Sequence, residues 1–254
     1  MVHGEALALA KQVAVVTGAS SGLGQATAAA LARAGADLVL LARSADDLAQ
    51  TAAQVEACGR RALALPLDLG QADQIMAAVD QAVAQFGRVD VLVNAAGSDV
   101  PGPVVELSVD AWDHVLDVNL RAPFVLAKAT FPHMRRLGHG TVVNVSSVAG
   151  KRGWANAAAY CASKFGLTGL TQALAAEGKP YGIRACVVYP GAMATSWGAW
   201  TQADRSTTPR NVPEPTDALP PEEVAELIVW IASAPHELVL NEVIVTPLRE
   251  TGWP

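Results

Sequence analysis

Thr17-Gly18-Ala19-Ser20-Ser21-Gly22-Leu23-Gly24 stands between a β-type apolar run, Val13–Thr17, and an Ala-rich segment, Gly24–Arg33, that reads as a helix ended at Gly35. Taken as strand, turn and helix, this stretch decides the fold. Glycines let the backbone turn tightly and approach a pyrophosphate, while the helix N-terminus offers free N–H groups and a positive dipole end. The spacing is Gly-x-x-x-Gly-x-Gly and not the commoner Gly-x-Gly-x-x-Gly, and a glycine-rich strand–helix turn by itself can be purely structural. Gly18, Ser20, Ser21, Gly22, Leu23 and Gly24 are therefore candidate cofactor-binding residues whose support has to come from the rest of the chain.

Outward from this turn the same rhythm repeats. Further strands are expected at Leu38–Ala42, Ala62–Leu67, Val89–Asn94, Thr141–Val145, Ile183–Val188 and Glu242–Thr246. Between them lie helical patterns at Asp46–Ala57, Ala72–Phe86, Val109–Leu137, Ala158–Glu177 and Glu222–Ala232, the long one kinked or interrupted around Pro123 and Pro132. Strands apolar on both faces, alternating with helices, imply right-handed parallel crossovers. The expected fold is α/β: a Rossmann-type, doubly wound, mostly parallel seven-stranded sheet with helices on both faces. The 254 residues suit a single domain. Residues 192–221 break the rhythm with Trp197, Trp200 and several prolines, too long for a simple connection, and read as a substrate-binding loop or lid.

Composition narrows the class. Apolar residues make up 51%, enough for a large core, and the net charge of −6 lacks the basic excess of a nucleic-acid surface. Cys58, Cys161 and Cys186 are odd in number and show no metal spacing, so neither disulfides nor structural zinc is expected and a reducing cytoplasm fits. His114, His133 and His139 show no metal spacing either. The N-terminus lacks a secretory pattern, and no apolar run has membrane length.

The second strand ends Leu41-Ala42-Arg43-Ser44. A carboxylate there would hold a ribose 2′-hydroxyl and repel a 2′-phosphate, whereas Arg43 can pair with a phosphate dianion. NADP(H) is favoured over NAD(H), against the alternative of a solvated strand-end arginine. Asp68-Leu69 after the third strand can border an adenine. Asn94-Ala95-Ala96-Gly97 after the fourth allows close approach of a cofactor; both are equally readable as strand-end turns.

Tyr160 and Lys164 lie four apart on one helical segment and share a face. A phenol titrates near 10, about three units too high for useful work at neutral pH, and a neighbouring ammonium lowers that value. Ser147 follows the fifth strand, where its hydroxyl can donate to a carbonyl oxygen as negative charge develops; Ser146 is its rival. Asn119 sits in a helical pattern that does not favour Asn, which suggests a buried hydrogen-bonding role. Lys151 and Arg152, charged and near a turn, read as solvated.

Together these pieces resemble the short-chain dehydrogenase/reductase superfamily, from Val13 to about Gly191. They comprise Thr17–Gly24, Asp68, Asn94–Gly97, Asn119, Ser147, Tyr160 with Lys164, and Pro190-Gly191, with thirteen residues from Ser147 to Tyr160. The resemblance implies an oxidoreductase moving a hydride between nicotinamide and a ketone or secondary alcohol. Tyr160 would be the acid/base, Ser147 would polarise the substrate oxygen, and Lys164 would lower the Tyr160 pKa and bind ribose. Asn119 would hold a water in a proton relay, and Thr195 and the Met193 backbone would touch the nicotinamide amide. It further implies a small-molecule substrate and a homotetramer or dimer built through the two long helices. The second Asn usual in the fourth-strand motif is Ala95 here, and the C-terminal Leu240–Pro247 lacks the ending of acyl-carrier ketoreductases. The alternative function is a non-catalytic NADP(H)-binding regulator or sensor, for which an acid/base pair has no use.

Overall fold

The computed structural model describes residues 7–195 and 218–249. Its strands are β1 (Val13–Thr17), β2 (Asp37–Ala42), β3 (Ala62–Pro66), β4 (Val91–Asn94), β5 (Gly140–Val145), β6 (Ile183–Pro190) and β7 (Glu242–Val245). Its α-helices are α1 (Gly22–Arg33), α2 (Ala45–Ala57), α3 (Ala72–Phe86), α4 (Val109–Leu116), α5 (Ala122–Leu137), α6 (Ala158–Gly178) and α7 (Pro221–Ser233). The strands form one sheet in the order β3-β2-β1-β4-β5-β6-β7, and every pairing is parallel.

Side chains alternate across the pleat, so each strand feeds two cores. Ala14 and Val16 of β1, with Leu38 and Leu40 of β2, pack on one face with Leu31 of α1 and Ile228 of α7. Val13 and Val15, with Val39 and Leu41, pack on the other with Ile75 and Val79 of α3 and Leu126 of α5. This two-sided burial is why the strands read as unbroken apolar runs.

The winding reverses between β1 and β4. The connection leaving β1 runs to one side of the sheet and that leading into β5 to the other, which opens a crevice at the carboxyl ends of these two strands. The glycine turn and Asn94–Gly97 both end there.

Most elements differ from the sequence reading by one or two residues at an end, and two of the differences bear on the site. Helix α1 starts at Gly22, not Gly24. Its N-cap Ser21 makes no side-chain cap hydrogen bond, so the hydroxyl leaves the first-turn N–H groups to other partners. The long helix is broken, and the break falls before Pro123. Residues Asp117–Arg121 form a wider π turn in which the Ala122 N–H reaches back to the Asp117 carbonyl, while α5 runs on through Pro132. Pro123 has no N–H to offer the carbonyl four residues earlier, which belongs to Asn119, so the backbone loosens there.

Candidate active site

The glycine turn is shaped by close approach. Gly18 has φ +66°, and a Cβ on it would lie 2.9 Å from the Ala96 Cα. A Cβ on Gly24 would lie 2.2 Å from the Gly18 carbonyl oxygen, so α1 is packed directly on the turn that precedes it. The Thr17 hydroxyl accepts hydrogen bonds from the N–H groups of Ala95 and Ala96, both at 3.1 Å, and locks the end of β1 to the end of β4. Thr17 had carried no site role in the sequence reading, although its place before the first glycine was the signal. The Thr195 methyl stands 3.4 Å from where a Gly22 Cβ would be, which brings the segment after β6 to the same turn.

Arg43 lies exposed at the end of β2, and Ser44 caps α2 by accepting from the Asp47 N–H. Asp68 is exposed at the end of β3, its carboxylate accepting from the Gly70 N–H at 2.9 Å, with Leu69 buried beside it. Pro190 ends β6, and the Gly191 N–H donates to the Val245 carbonyl at 2.8 Å. The Met193 carbonyl accepts from the Thr195 N–H at 2.9 Å. Asn94 is buried, and its amide donates to Asn144 across β4 and β5 at 2.7 Å; Asn144 in turn donates to Thr171 on α6. Asn94 thus braces the sheet beneath the crevice. These groups all lie at the carboxyl end of the parallel sheet.

The chemical group is next to it. Ser147 ends the loop after β5, and its hydroxyl oxygen accepts from the Ala149 N–H at 3.1 Å. That acceptance uses a lone pair and leaves the hydroxyl hydrogen for donation. Its rival Ser146 is buried and donates to the Lys164 carbonyl at 3.2 Å, a structural bond. Ala149 clusters with Ala157, Tyr160 and Cys161, which sets the Ser147 turn against the start of α6.

Lys164 is fully buried. Its ammonium donates to the Val145 carbonyl at 2.9 Å and lies 5.6 Å from the centre of the Tyr160 ring. Burial lowers its pKa from 10.5 to about 8, and the Asp99 charge opposes that drop. Asn119 is buried and fully engaged. Its side-chain oxygen accepts from the Ser98 N–H at 2.7 Å, and its amide donates to the Ser98 carbonyl at 2.8 Å and to the Ser163 hydroxyl at 2.9 Å. The side chain is therefore a clamp between the loop after β4 and α6.

Lys151 is not simply solvated: it pairs with Glu242 on β7, whose other oxygen accepts from Gln172 at 3.0 Å. That corrects the reading of Lys151. Trp154 is half-exposed in the loop ahead of α6. Trp197, Trp200 and most of residues 192–221 lie outside the described residues. The two ends of that segment are joined: the Ala194 N–H donates to the Leu219 carbonyl and the Leu219 N–H to the Ala192 carbonyl. Among the described residues no His, Cys, Asp or Glu cluster could hold a metal, and no helix is long and apolar enough to cross a membrane.

Comparison with known proteins agrees with this geometry. The short chain dehydrogenase family model matches residues 12–206. The chain is 40% identical over 241 residues to cis-4-hydroxycyclohexanecarboxylate dehydrogenase of Sinomonas cyclohexanicum, covering 93% of this chain and 95% of the relative. Among solved structures, a metagenomic short-chain oxidoreductase in complex with NADP is 34% identical with a TM-score of 0.82, covering 96% of this chain and 100% of the other. Carveol dehydrogenase from Mycobacterium avium in complex with NAD is 26% identical with a TM-score of 0.84, covering 93% and 96%. The crevice, the Tyr–Lys turn beside it and the agreement over nearly the whole length have one explanation: this chain is an oxidoreductase belonging to the short-chain dehydrogenase family.

Proposed function

We propose that the enzyme is an NADP(H)-dependent carbonyl reductase/alcohol dehydrogenase that uses Tyr160 as its acid/base. The observation that carries this reading is the buried Lys164 ammonium, 5.6 Å from the Tyr160 ring and one helical turn along. A buried cation is poorly screened, so it stabilises a neighbouring phenolate more than an exposed one would. The close-packed glycine turn and the uncapped start of α1 fit a pyrophosphate. The exposed Arg43 at the end of β2, with Ser44, supports a 2′-phosphate there, and Asp68 and Leu69 after β3 support the adenine. Gly97, Pro190, Gly191, Met193 and Thr195 belong to the nicotinamide end, with Lys164 on its ribose. A nicotinamide dinucleotide bound at this end of the sheet supplies or accepts the hydride.

The chain's own groups manage the oxygen and its proton. Ser147 donates its hydroxyl hydrogen to the substrate oxygen and holds it in place. Tyr160 gives the oxygen a proton in reduction and takes one in oxidation. Asn119 holds the loop after β4, and its carbonyl, denied its ordinary helical partner by Pro123, is placed to hold a water that refills the proton.

The substrate is a small ketone or secondary alcohol, and a hydroxylated ring is the first class to test given the hydroxycyclohexanecarboxylate relative. Seven strands in one sheet support one domain. Half-exposed Phe124 and Phe165 on α5 and α6 support a homodimer or tetramer through those helices. Free thiols at Cys58, Cys161 and Cys186 suit the cytoplasm.

Tyr160→Phe should lower turnover of a secondary alcohol by at least about a hundredfold while the fluorescence of bound NADPH is unchanged. Turnover within a few-fold of the parent would reject the mechanism. Arg43→Ala should weaken NADPH far more than NADH in the same titration; equal losses would reject the cofactor preference.

A further inference from the structure

The loop after β4 carries an acidic residue that none of the site roles above uses. Ser98 is gripped on both its N–H and its carbonyl by the Asn119 side chain, and the same amide nitrogen donates to the Ser163 hydroxyl. Ser98 precedes Asp99, and Ser163 precedes Lys164. One side chain therefore fixes the neighbours of both residues. Three residues further on, the Gly102 N–H donates to the Asn156 carbonyl at 3.0 Å, and Gly102 bridges Ala157. The segment is thus pinned at its far end just ahead of α6. Asp99 lies between the two pins, with one carboxylate oxygen buried.

A wholly buried ammonium that donates to a neutral carbonyl is unstable as a cation unless a counter-charge lies near. Resting on the Tyr160 mechanism, we propose that Asp99 is a positioning residue: its carboxylate is the counter-charge that keeps the buried Lys164 ammonium protonated for Tyr160. Tyr160 lies beside Lys164 on its own helix. Asp99 stands on the loop that the Asn119 clamp ties to Ser163, the residue before Lys164, with one carboxylate oxygen turned away from solvent. The direction of the Asp99 effect agrees, since it opposes the downward pull of burial on Lys164. No bond is made or broken by Asp99, which acts only through its charge.

The test is the pH dependence of kcat for oxidation of a cyclohexanol-type alcohol by the parent enzyme, Asp99→Asn and Asp99→Glu. Asp99→Asn should bring the alkaline fall in kcat on at a pH lower by about one unit, with KM for the alcohol changed less than kcat, and Asp99→Glu should restore the parent profile. A merely structural role would depress kcat equally at every pH and leave the limb where it was; that result overturns the proposal and spares the Tyr160 mechanism. If Asp99→Asn fails to fold, Asp99→Ser carries the same expectation and the same refutation. Absence of turnover by the parent with every alcohol and ketone tested would instead reject the mechanism, and this proposal with it.

Discussion

The two ends of the sheet treat buried polar groups in opposite ways. At the amino end Asp90 is almost completely buried and fully paired. It accepts from the Val13 N–H at 2.9 Å and from two nitrogens of Arg88 at 2.8 and 2.5 Å, and it pairs with His139 at 3.0 Å. Nearby, Arg184 donates to the carbonyls of Ala234, Pro235 and Leu238 after α7 and to the Thr141 hydroxyl. At the carboxyl end Lys164 is as deeply buried, yet its ammonium donates to the Val145 carbonyl, and Ser147 accepts one N–H while keeping its hydrogen to give. One end spends most of its buried polar groups on holding the sheet together, with the Arg184 Nε left over; the other holds hydrogen-bonding capacity in reserve for a ligand.

The contrast predicts opposite signs for mutation. Asp90→Ala leaves a cation, an imidazole and a strand N–H without their acceptor at a buried site. It should cost about 3 kcal/mol of stability in urea unfolding. Whatever remains folded should bind NADPH normally. A loss below about 0.5 kcal/mol would mean that Asp90 is dispensable and the amino end is not the anchor.

Lys164→Met should go the other way. Burial holds the Lys164 pKa near 8 against 10.5 unperturbed, so its charged form is disfavoured in the folded state. The gap of two to three units corresponds to about 3 kcal/mol, less about 1–2 for the Val145 carbonyl left without its donor. A net gain of about 1–2 kcal/mol is expected at pH 7. The sign follows from linkage: the unfolded chain binds more protons between pH 8 and 10.5, so the parent's stability rises across that window. The variant's advantage is therefore largest below pH 8 and fades as pH approaches 10.5. A variant less stable than the parent at pH 7 would erase the contrast between the two ends.

What could be read from the chain follows the range of the interactions. The glycine turn and the Tyr160/Lys164 pair were legible because each is decided within one turn or one helix. The inner strands β1, β2, β4, β5 and β6 were legible because both of their faces are buried and the runs stay mostly apolar, whereas the partly exposed edge strands β3 and β7 were legible from their short apolar runs alone. Asn119 was legible as an oddity but not as a clamp, since Ser98 and Ser163 lie 21 and 44 residues away. The Lys151–Glu242 pair spans 91 residues, and no local pattern signals it. The helix break was foreseen around Pro123 yet falls before it, because a proline removes the partner of a carbonyl one turn earlier. Asp90 was passed over because its partners Val13 and His139 lie 77 and 49 residues away, and Thr17 because its hydroxyl acts on backbone N–H groups 78 and 79 residues on, although its place before the first glycine marked it.

Pro123 offers the finest test of the division. Restoring its N–H gives the Asn119 carbonyl the ordinary helical partner and should let the π turn between Asp117 and Arg121 close into regular helix. Pro123→Ala should then change stability by less than about 0.5 kcal/mol, since one hydrogen bond is gained while the unfolded chain gains freedom. Activity should respond more than stability: a carbonyl bonded within the helix has lost capacity to hold water, and kcat should fall by about tenfold, at the weak end of proton-transfer contributions. A solvent deuterium isotope effect on kcat that grows in the variant would place the loss in proton delivery. If kcat is unchanged while the amide of residue 123 becomes protected from hydrogen exchange, the Asn119 carbonyl has no part in the relay, and the capacity held in reserve at this end reduces to Ser147, Tyr160 and Lys164.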